Sequence, residues 1–386
     1  MSTLWLSLRF GSFILAVSVV FSLQPSWAAP SYEISRSQAQ LLAENWLRAY
    51  PAPLRAAMSP RIQFVNTINN VQGQTIYHAI PLEPEGFIVV AADRRIGPIV
   101  AFSPEGSLSG DDGSPLAQWL KIDLTSRLQA VQASEQASGL ARNALDVSAR
   151  LLLGTGSNNV DTVYVAPLVQ SKWDQQAIIG FNNESLACYN YFTPPGAAGR
   201  LSNYPCGCVA TAWAQMMRFF CFPQIGVGTA SYDITIDGIP ATRALRGGDG
   251  AGGAYNWNAM TLLPMTNVSA TECQAIGALC HDAGVACRLN YKREATGGSL
   301  AAATITNAFF YSNAIEGDGD QPDFLHMVNP NLDSKRPVYF AISQGGVDGH
   351  AVVCDGYGYN AGLLFHHLNM GWSGLNNFWY QLPNVG

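Results

Sequence analysis

All eight cysteines of this 386-residue chain lie at or after Cys188, and the first third has none. Between the two parts runs a Gly/Ser/Asn-rich stretch, Gly154 to Asp161, with no apolar periodicity. Such a stretch reads as an exposed linker, the kind of segment where proteases cut. The chain therefore divides into two unlike halves, which suits a length too great for one typical domain. Charge divides as well. Residues 1–155 carry 11 basic and 11 acidic side chains, whereas residues 156–386 carry 10 and 16, a difference of −6. No basic run occurs, which argues against nucleic acid as a partner.

Arg9 precedes an apolar run from Phe10 to Leu23, and Ser26-Trp27-Ala28 sets small residues where a signal peptidase cuts. The run is short for a bilayer span and ends in Gln24 and Pro25. Residues 1–28 are thus expected to be a removed secretory signal. The mature protein is expected to be secreted or periplasmic, with no stable membrane association.

Residues 29–153 read as a small α+β unit. Ser35 to Leu47 has helical spacing with Ser capping candidates at its start, and Pro51 and Pro53 end it. Strand-like runs follow at 62–65, 75–80 and 86–92, then a helix over 115–135. The larger unit, 162–386, has its first long apolar helix over Cys208–Phe220, ended by Pro223. Residues 269–283 and 299–313 read as helices, and 337–343, 351–356 and 363–368 as strands.

Cys208 stands where that helix begins, after Gly207. A thiol attacks only as thiolate, and a helix N-terminus and a nearby imidazolium both lower its pKa. A cysteine in a mostly apolar helix is more often a small buried side chain, so the segment alone does not decide. Cys206 is a rival, although Cys208 fits the helix start better. His350, between Gly349 and an apolar strand-like run, could take the thiol proton and return it to a leaving amine. Asn369, ahead of Gly371-Trp372, could hold the far nitrogen of that ring, with Trp372 shielding the bond. Gln175 in Trp173-Asp174-Gln175 could donate its amide to an oxyanion. His366 and His367 are adjacent in a strand and point to opposite faces, so both cannot bind one metal. No metal site or cofactor is expected.

In an exported protein cysteines can pair. If Cys208 is free, seven remain, so at least one more is unpaired. Cys273, Cys280 and Cys287 recur every seven residues in a helix-like stretch. On a helix that is about 10.5 Å, beyond disulfide reach of about 7 Å, so neighbours in the series cannot pair with each other. They could equally be small buried residues on one face.

Taken together, these pieces resemble the streptopain family of secreted cysteine peptidases. The matches are Trp173-Asp174-Gln175, Gly207 to Ala212 with Ala214-Gln215, Tyr255-Asn256-Trp257 with Met260, Gly349-His350-Ala351, Asp355-Gly356-Tyr357, and His367-Leu368-Asn369 with Gly371-Trp372. Gly86 to Asp93 and Pro98 to Ser103 resemble the strand pattern of the family's inhibitory pro-segment. The resemblance implies an α+β fold: a papain-like cysteine peptidase domain preceded by a small α+β pro-domain that inhibits it within the same chain. It implies an endopeptidase acting on proteins or peptides, cut from its pro-segment near 154–161. By position it makes Cys208 the nucleophile, His350 the general base and acid, Gln175 the oxyanion donor, and Asn369 with Trp372 the support of His350. Ser299 and Gly349 fall at substrate-lining positions. Two departures stand out. Met370 replaces a family Trp that would form an aromatic lid near the His, and relatives continue beyond the position of Gly386. A thiol amidase or transpeptidase on the same fold, or an inactive binding homologue, are the alternative readings.

Overall fold

The two halves of the sequence are joined by one continuous sheet. The computed structural model describes residues 31–110, 113–133, 139–155, 161–265, 267–317, 324–342 and 349–382. The expected signal and the middle of the expected linker, 156–160, lie outside these residues. From Glu33 onward the chain forms one unit.

The first half supplies α1 (Arg36–Ala49), β1 (Arg61–Ile62), β2 (Asn66–Asn69), β3 (Thr75–Glu83), β4 (Phe87–Ala91), β5 (Ala101–Ser103), α2 (Pro115–Ala133) and α3 (Gly139–Leu152). Ser35 caps α1, its side chain accepting from the Gln38 N–H while the Gln38 side chain accepts from the Ser35 N–H. Leu42, Ala43 and Trp46 then fall on one buried face. The expected strand over 62–65 is shorter, and α3 was not foreseen. Its first described residue is Gly139, and the sequence before it lacks the Ser-x-x-Gln pattern that marks α1.

The second half adds β6 (Thr162–Val165), the hairpin β7 (Ala177–Ile179) and β8 (Ser185–Ala187), and α4 (Cys208–Phe220). Next come β9 (Ser231–Ile236), β10 (Ile239–Ala244), α5 (Ala270–Ala286) and β11 (Asn290–Tyr291). The chain ends with α6 (Ala302–Phe309), α7 (Phe324–Asp333), β12 (Val338–Ile342), β13 (His350–Asn360), β14 (Leu363–Asn369) and β15 (Phe378–Tyr380). Helix α4 has the expected bounds. The helix expected over 299–313 shortens to α6, because Phe310 turns left-handed, with φ 61°, and ends it.

The large sheet runs β1-β3-β4-β5-β15-β14-β13-β12, with β2 on β3 and β6 on β13. Its seam is the antiparallel pair β5–β15, with Phe102 opposite Trp379 and Ala101 opposite Tyr380. Side chains close the seam. The Trp46 indole N–H donates to Asn360 Oδ1 at 2.8 Å, and Ser103 Oγ donates to the Asn377 carbonyl at 2.6 Å. The α2 pair Asp123–Arg127 meets the Tyr380 hydroxyl, and Arg127 also donates to the Gln381 carbonyl at 2.7 Å. Asp161, read as the end of an exposed linker, is anchored, accepting from the Leu54 N–H and the Asn360 amide. Gly154 and Thr155 are exposed, as expected. Trp46, Phe102, Phe365 and Phe378 are all within 1 % of complete burial, each such side chain contributing about 1.5–3 kcal/mol.

Candidate active site

Gly207 positions Cys208 through the backbone alone. Its φ of 88° lies in the left-handed region that glycine favours, and a Cβ there would come within 2.5 Å of the Thr296 carbonyl oxygen. The chain turns sharply and enters α4 with Cys208 as its first residue. Gly207 has no side chain to cap the helix, so first-turn N–H groups remain for an anion. The backbone N–H groups of Ala351, Val209 and Cys208 itself reach the sulfur and favour thiolate. Burial outweighs them and holds the Cys208 thiol above its ordinary pKa.

Two bonds stitch the 174–175 segment to the start of α4. The Cys206 N–H donates to the Gln175 carbonyl at 2.9 Å, and the Thr211 hydroxyl donates to the Asp174 carbonyl at 3.1 Å. Gln175 is half-buried beside this turn. Its side-chain amide takes no hydrogen-bond partner among the described residues.

His350 opens β13, and the period-two alternation of that strand sets its direction. Ala351 and Val353 face the core behind α4. Val352 and Cys354 face the other core, and His350 shares their parity. The ring contacts agree: Nε2 lies 2.9 Å from the Met370 carbonyl oxygen, and the ring stacks on Trp372 at 4.6 Å. A carbonyl only accepts, so Nε2 carries the proton and Nδ1 is the basic nitrogen. Burial pushes the imidazole down to about 4, with the Met370 carbonyl opposing. Near pH 7 both His350 and Cys208 are therefore neutral. No hydrogen bond joins them among the described residues.

Asn369, expected to hold the ring, makes its side-chain hydrogen bonds elsewhere. Its amide donates to the Ser171 carbonyl at 3.0 Å, and its Oδ1 accepts from Gln215 Nε2 at 3.2 Å and from the Gly371 N–H at 3.1 Å. The backbone carbonyl one residue on takes the expected role instead. Trp372 covers the ring as expected. Met370 does not sit over the site: its side chain is buried in the core, among residues of both halves.

Gln215, which stands among the family matches, had no role assigned to it from sequence. It is fully buried and accepts from Ser171 Oγ at 2.9 Å while holding Asn369. The available signal was two polar side chains, Thr211 and Gln215, spaced i, i+4 in the apolar stretch that precedes Arg218. Ser299 and Gly349 are exposed. Gly349 directly precedes His350, and Ser299 lies three residues beyond Thr296, which packs on Gly207. His366 and His367 point apart as expected, one to Asn329 and the other to Asp355.

Residues 182–380 match the model of the peptidase C10 family, and residues 31–126 match that of the Spi protease inhibitor. Streptopain of Streptococcus pyogenes serotype M1 is 24% identical over 405 residues, covering 97% of this chain and 89% of streptopain. The thiol protease/hemagglutinin PrtT of Porphyromonas gingivalis is 25% identical over 368 residues, which span 92% of this chain but 39% of that protein. Among solved structures, a fragment of Prevotella intermedia prointerpain A superposes with a TM-score of 0.59 at 20% identity. It covers 83% of this chain and 92% of that one, a likeness of fold that takes in most of the chain.

Proposed function

This chain belongs to the peptidase C10 family of cysteine peptidases, and from that premise we propose that it is a secreted endopeptidase made as a self-inhibited zymogen. Residues 1–28 are the export signal, 29–153 the inhibitory segment, 154–161 the processing region and 162–386 the enzyme. The observation that carries this reading is the direction of His350. The base shares the parity of the β13 residues on the face whose core includes the first half and is bonded to Met370, while the thiol packs against the other core and accepts from the Ala351 N–H.

Removing the first half strips that face and lets the ring turn toward Cys208. Nδ1 then takes the thiol proton, and the thiolate attacks the scissile carbonyl carbon. The oxyanion is met by the Cys208 N–H and the Gln175 amide. The imidazolium protonates the leaving amine, and a thioester forms. Water, deprotonated by the same nitrogen, releases the acid and restores the thiol. Met370, Trp372 and the Gln215–Asn369 pair hold the ring's anchor, and Ser299 and Gly349 line the substrate cleft.

Expressing the chain beside its Cys208→Ala variant tests this reading. Self-cleavage and peptide hydrolysis are expected only with Cys208 present. Equal processing of both proteins would refute autocatalytic maturation. Labelling of Cys206 by a thiol-directed peptide inhibitor would overturn the nucleophile assignment.

A further inference from the structure

The peptidase core holds five buried cysteines that the mechanism does not use, four of them without any exposure. Cys188, Cys206, Cys273 and Cys280 all have zero exposure and lie in the same core cluster. Helix α5 puts Cys273 and Cys280 seven residues apart on one face, about 10.5 Å along its axis, too far to join each other. Each meets a thiol from another segment. Cys188 is in side-chain hydrogen-bond contact with Cys273, and Cys206 with Cys280. The backbone is packed for this. At Gly277, midway between the two α5 cysteines, a Cβ would come within 2.5 Å of the Cys188 carbonyl oxygen. Cys206 is tied to Gln175 through its N–H and lies 3.3 Å from Thr211 Oγ1.

The other thiols make no such contact among the described residues: Cys287 shares this core and Cys221 packs against it. Cys287 caps the end of α5, and only burial is seen to shift its thiol. The Cys221 sulfur bonds Arg218 at the end of α4. Cys354 belongs to the core on the other face of β13. Among the described residues no group of three or more His, Cys, Asp or Glu side chains could hold a metal ion; the thiol–thiol side-chain contacts run from Cys188 to Cys273 and from Cys206 to Cys280, with Cys188 also near Cys206 and Cys280.

We propose that Cys188–Cys273 and Cys206–Cys280 are disulfide-forming pairs, closed when the chain folds outside a reducing compartment. The proposal rests on the export reading for its setting. Each closure is a thiol–disulfide exchange with a small disulfide such as oxidised glutathione. One protein thiolate attacks the small disulfide and expels a first small thiol. The second protein thiolate then attacks the mixed disulfide and expels the other. Two protein thiols are oxidised, and one disulfide is reduced to two thiols that keep both protons. The second link lies two residues before the nucleophile. It removes Cys206 as a competing partner and fastens the Gln175–Cys206–Gly207 turn to α5, while Cys208 stays a thiol. Completion of the site is thereby coupled to an oxidising surrounding.

The test supplies the oxidant directly, so that it does not depend on export. The Cys208→Ala full chain is unfolded with reductant, refolded in a mixture of oxidised and reduced glutathione, and alkylated under denaturing conditions. Seven cysteines remain in this variant, and three are expected to be alkylated, since four are paired. Digestion with trypsin and chymotrypsin, which separates Cys273 from Cys280 at Leu279, is expected to yield the two named linkages. Cys280→Ser is expected to expose Cys206 to alkylation and leave Cys188–Cys273 intact. The parent's own linkage map decides the matter if that variant fails to fold. Seven alkylated thiols, or Cys188 joined to Cys280, or Cys206 joined to any other residue, would overturn the proposal. Export itself is judged separately, from the N-terminal residue of the protein recovered outside the cell.

Discussion

The two sides of β13 are built from different parts of the chain. The core behind Cys208 draws on residues between Val169 and Val353 alone, all from the peptidase half. The core on the opposite face mixes Tyr77, Phe87, Leu116 and Leu120 of the first half with Val352, Leu368, Met370 and Phe378 of the second. The thiol thus rests on packing that the peptidase supplies for itself, and the imidazole is held by Met370 and Trp372 at the edge of the core that both halves share. The contrast is one of ownership: the first half completes one of the two cores that β13 separates and takes no part in the other.

That contrast can be broken at graded strength. The largest effect is expected on the thiol side, where Cys208→Ala should lower kcat/KM on a peptide substrate by about 10⁴-fold or more. Thermal melting should change little, because the thiol's packing is independent of its chemistry.

Next come the clasp and the buried imidazoles. Arg127 and Asp123 are each less than one-sixth exposed where they meet Tyr380. Arg127→Met should destabilise the zymogen by about 3 kcal/mol and quicken its processing. Denaturant titration of the zymogen and the rate of its processing check this; a destabilised zymogen processed at the parent's rate would place the clasp outside the inhibitory contact.

The pH dependence follows from His350 and His366, both pushed down to about 4 by burial. The unfolded chain binds protons near pH 6.5 and the folded zymogen only near 4. Zymogen stability should therefore be full above about pH 6.5 and fall as pH drops to 4, by about 3 kcal/mol for each histidine. Midpoints of denaturation between pH 7 and 4 measure it. His366→Gln should remove part of the slope, and the processed enzyme should lose the part due to His350.

A smaller change is expected from Asn369→Ala. It leaves the Gln215 amide unpaired and should cost about 2 kcal/mol of stability. Because Asn369 acts through Met370, kcat should fall far less than in the Cys208 variant. A loss as large as that of Cys208→Ala would show that Asn369 reaches the ring in the active form. The smallest effect belongs to Lys172–Glu105, a half-exposed ion pair across the seam, where Lys172→Ala should cost about 0.5 kcal/mol.

Much of this was legible in the sequence where the signal is local. The bounds of α4 follow from an apolar run between Gly207 and Pro223, and the cap at Ser35 from a Ser followed by Gln. The opposed directions of His366 and His367 follow from strand alternation. The misses have equally specific causes. Helix α3 opens on a glycine, a poor helix former, and the sequence before it lacks the Ser-x-x-Gln pattern of α1. The strand expected at 62–65 breaks after Ile62. Asp161 looked like linker because its partners, Leu54 and Asn360, lie more than a hundred residues away on either side.

The sequence by itself determined that a thiol starts a helix, that one histidine opens a strand and that two unlike halves flank a cuttable stretch. Each of these is written within a dozen neighbouring residues. Only the tertiary structure decided which way His350 points, that a Met370 backbone carbonyl rather than the Asn369 amide holds it, and which buried thiols meet. A backbone carbonyl leaves no mark in the identity of a residue. The partners of a buried side chain are chosen by elements that meet only when both halves complete one sheet.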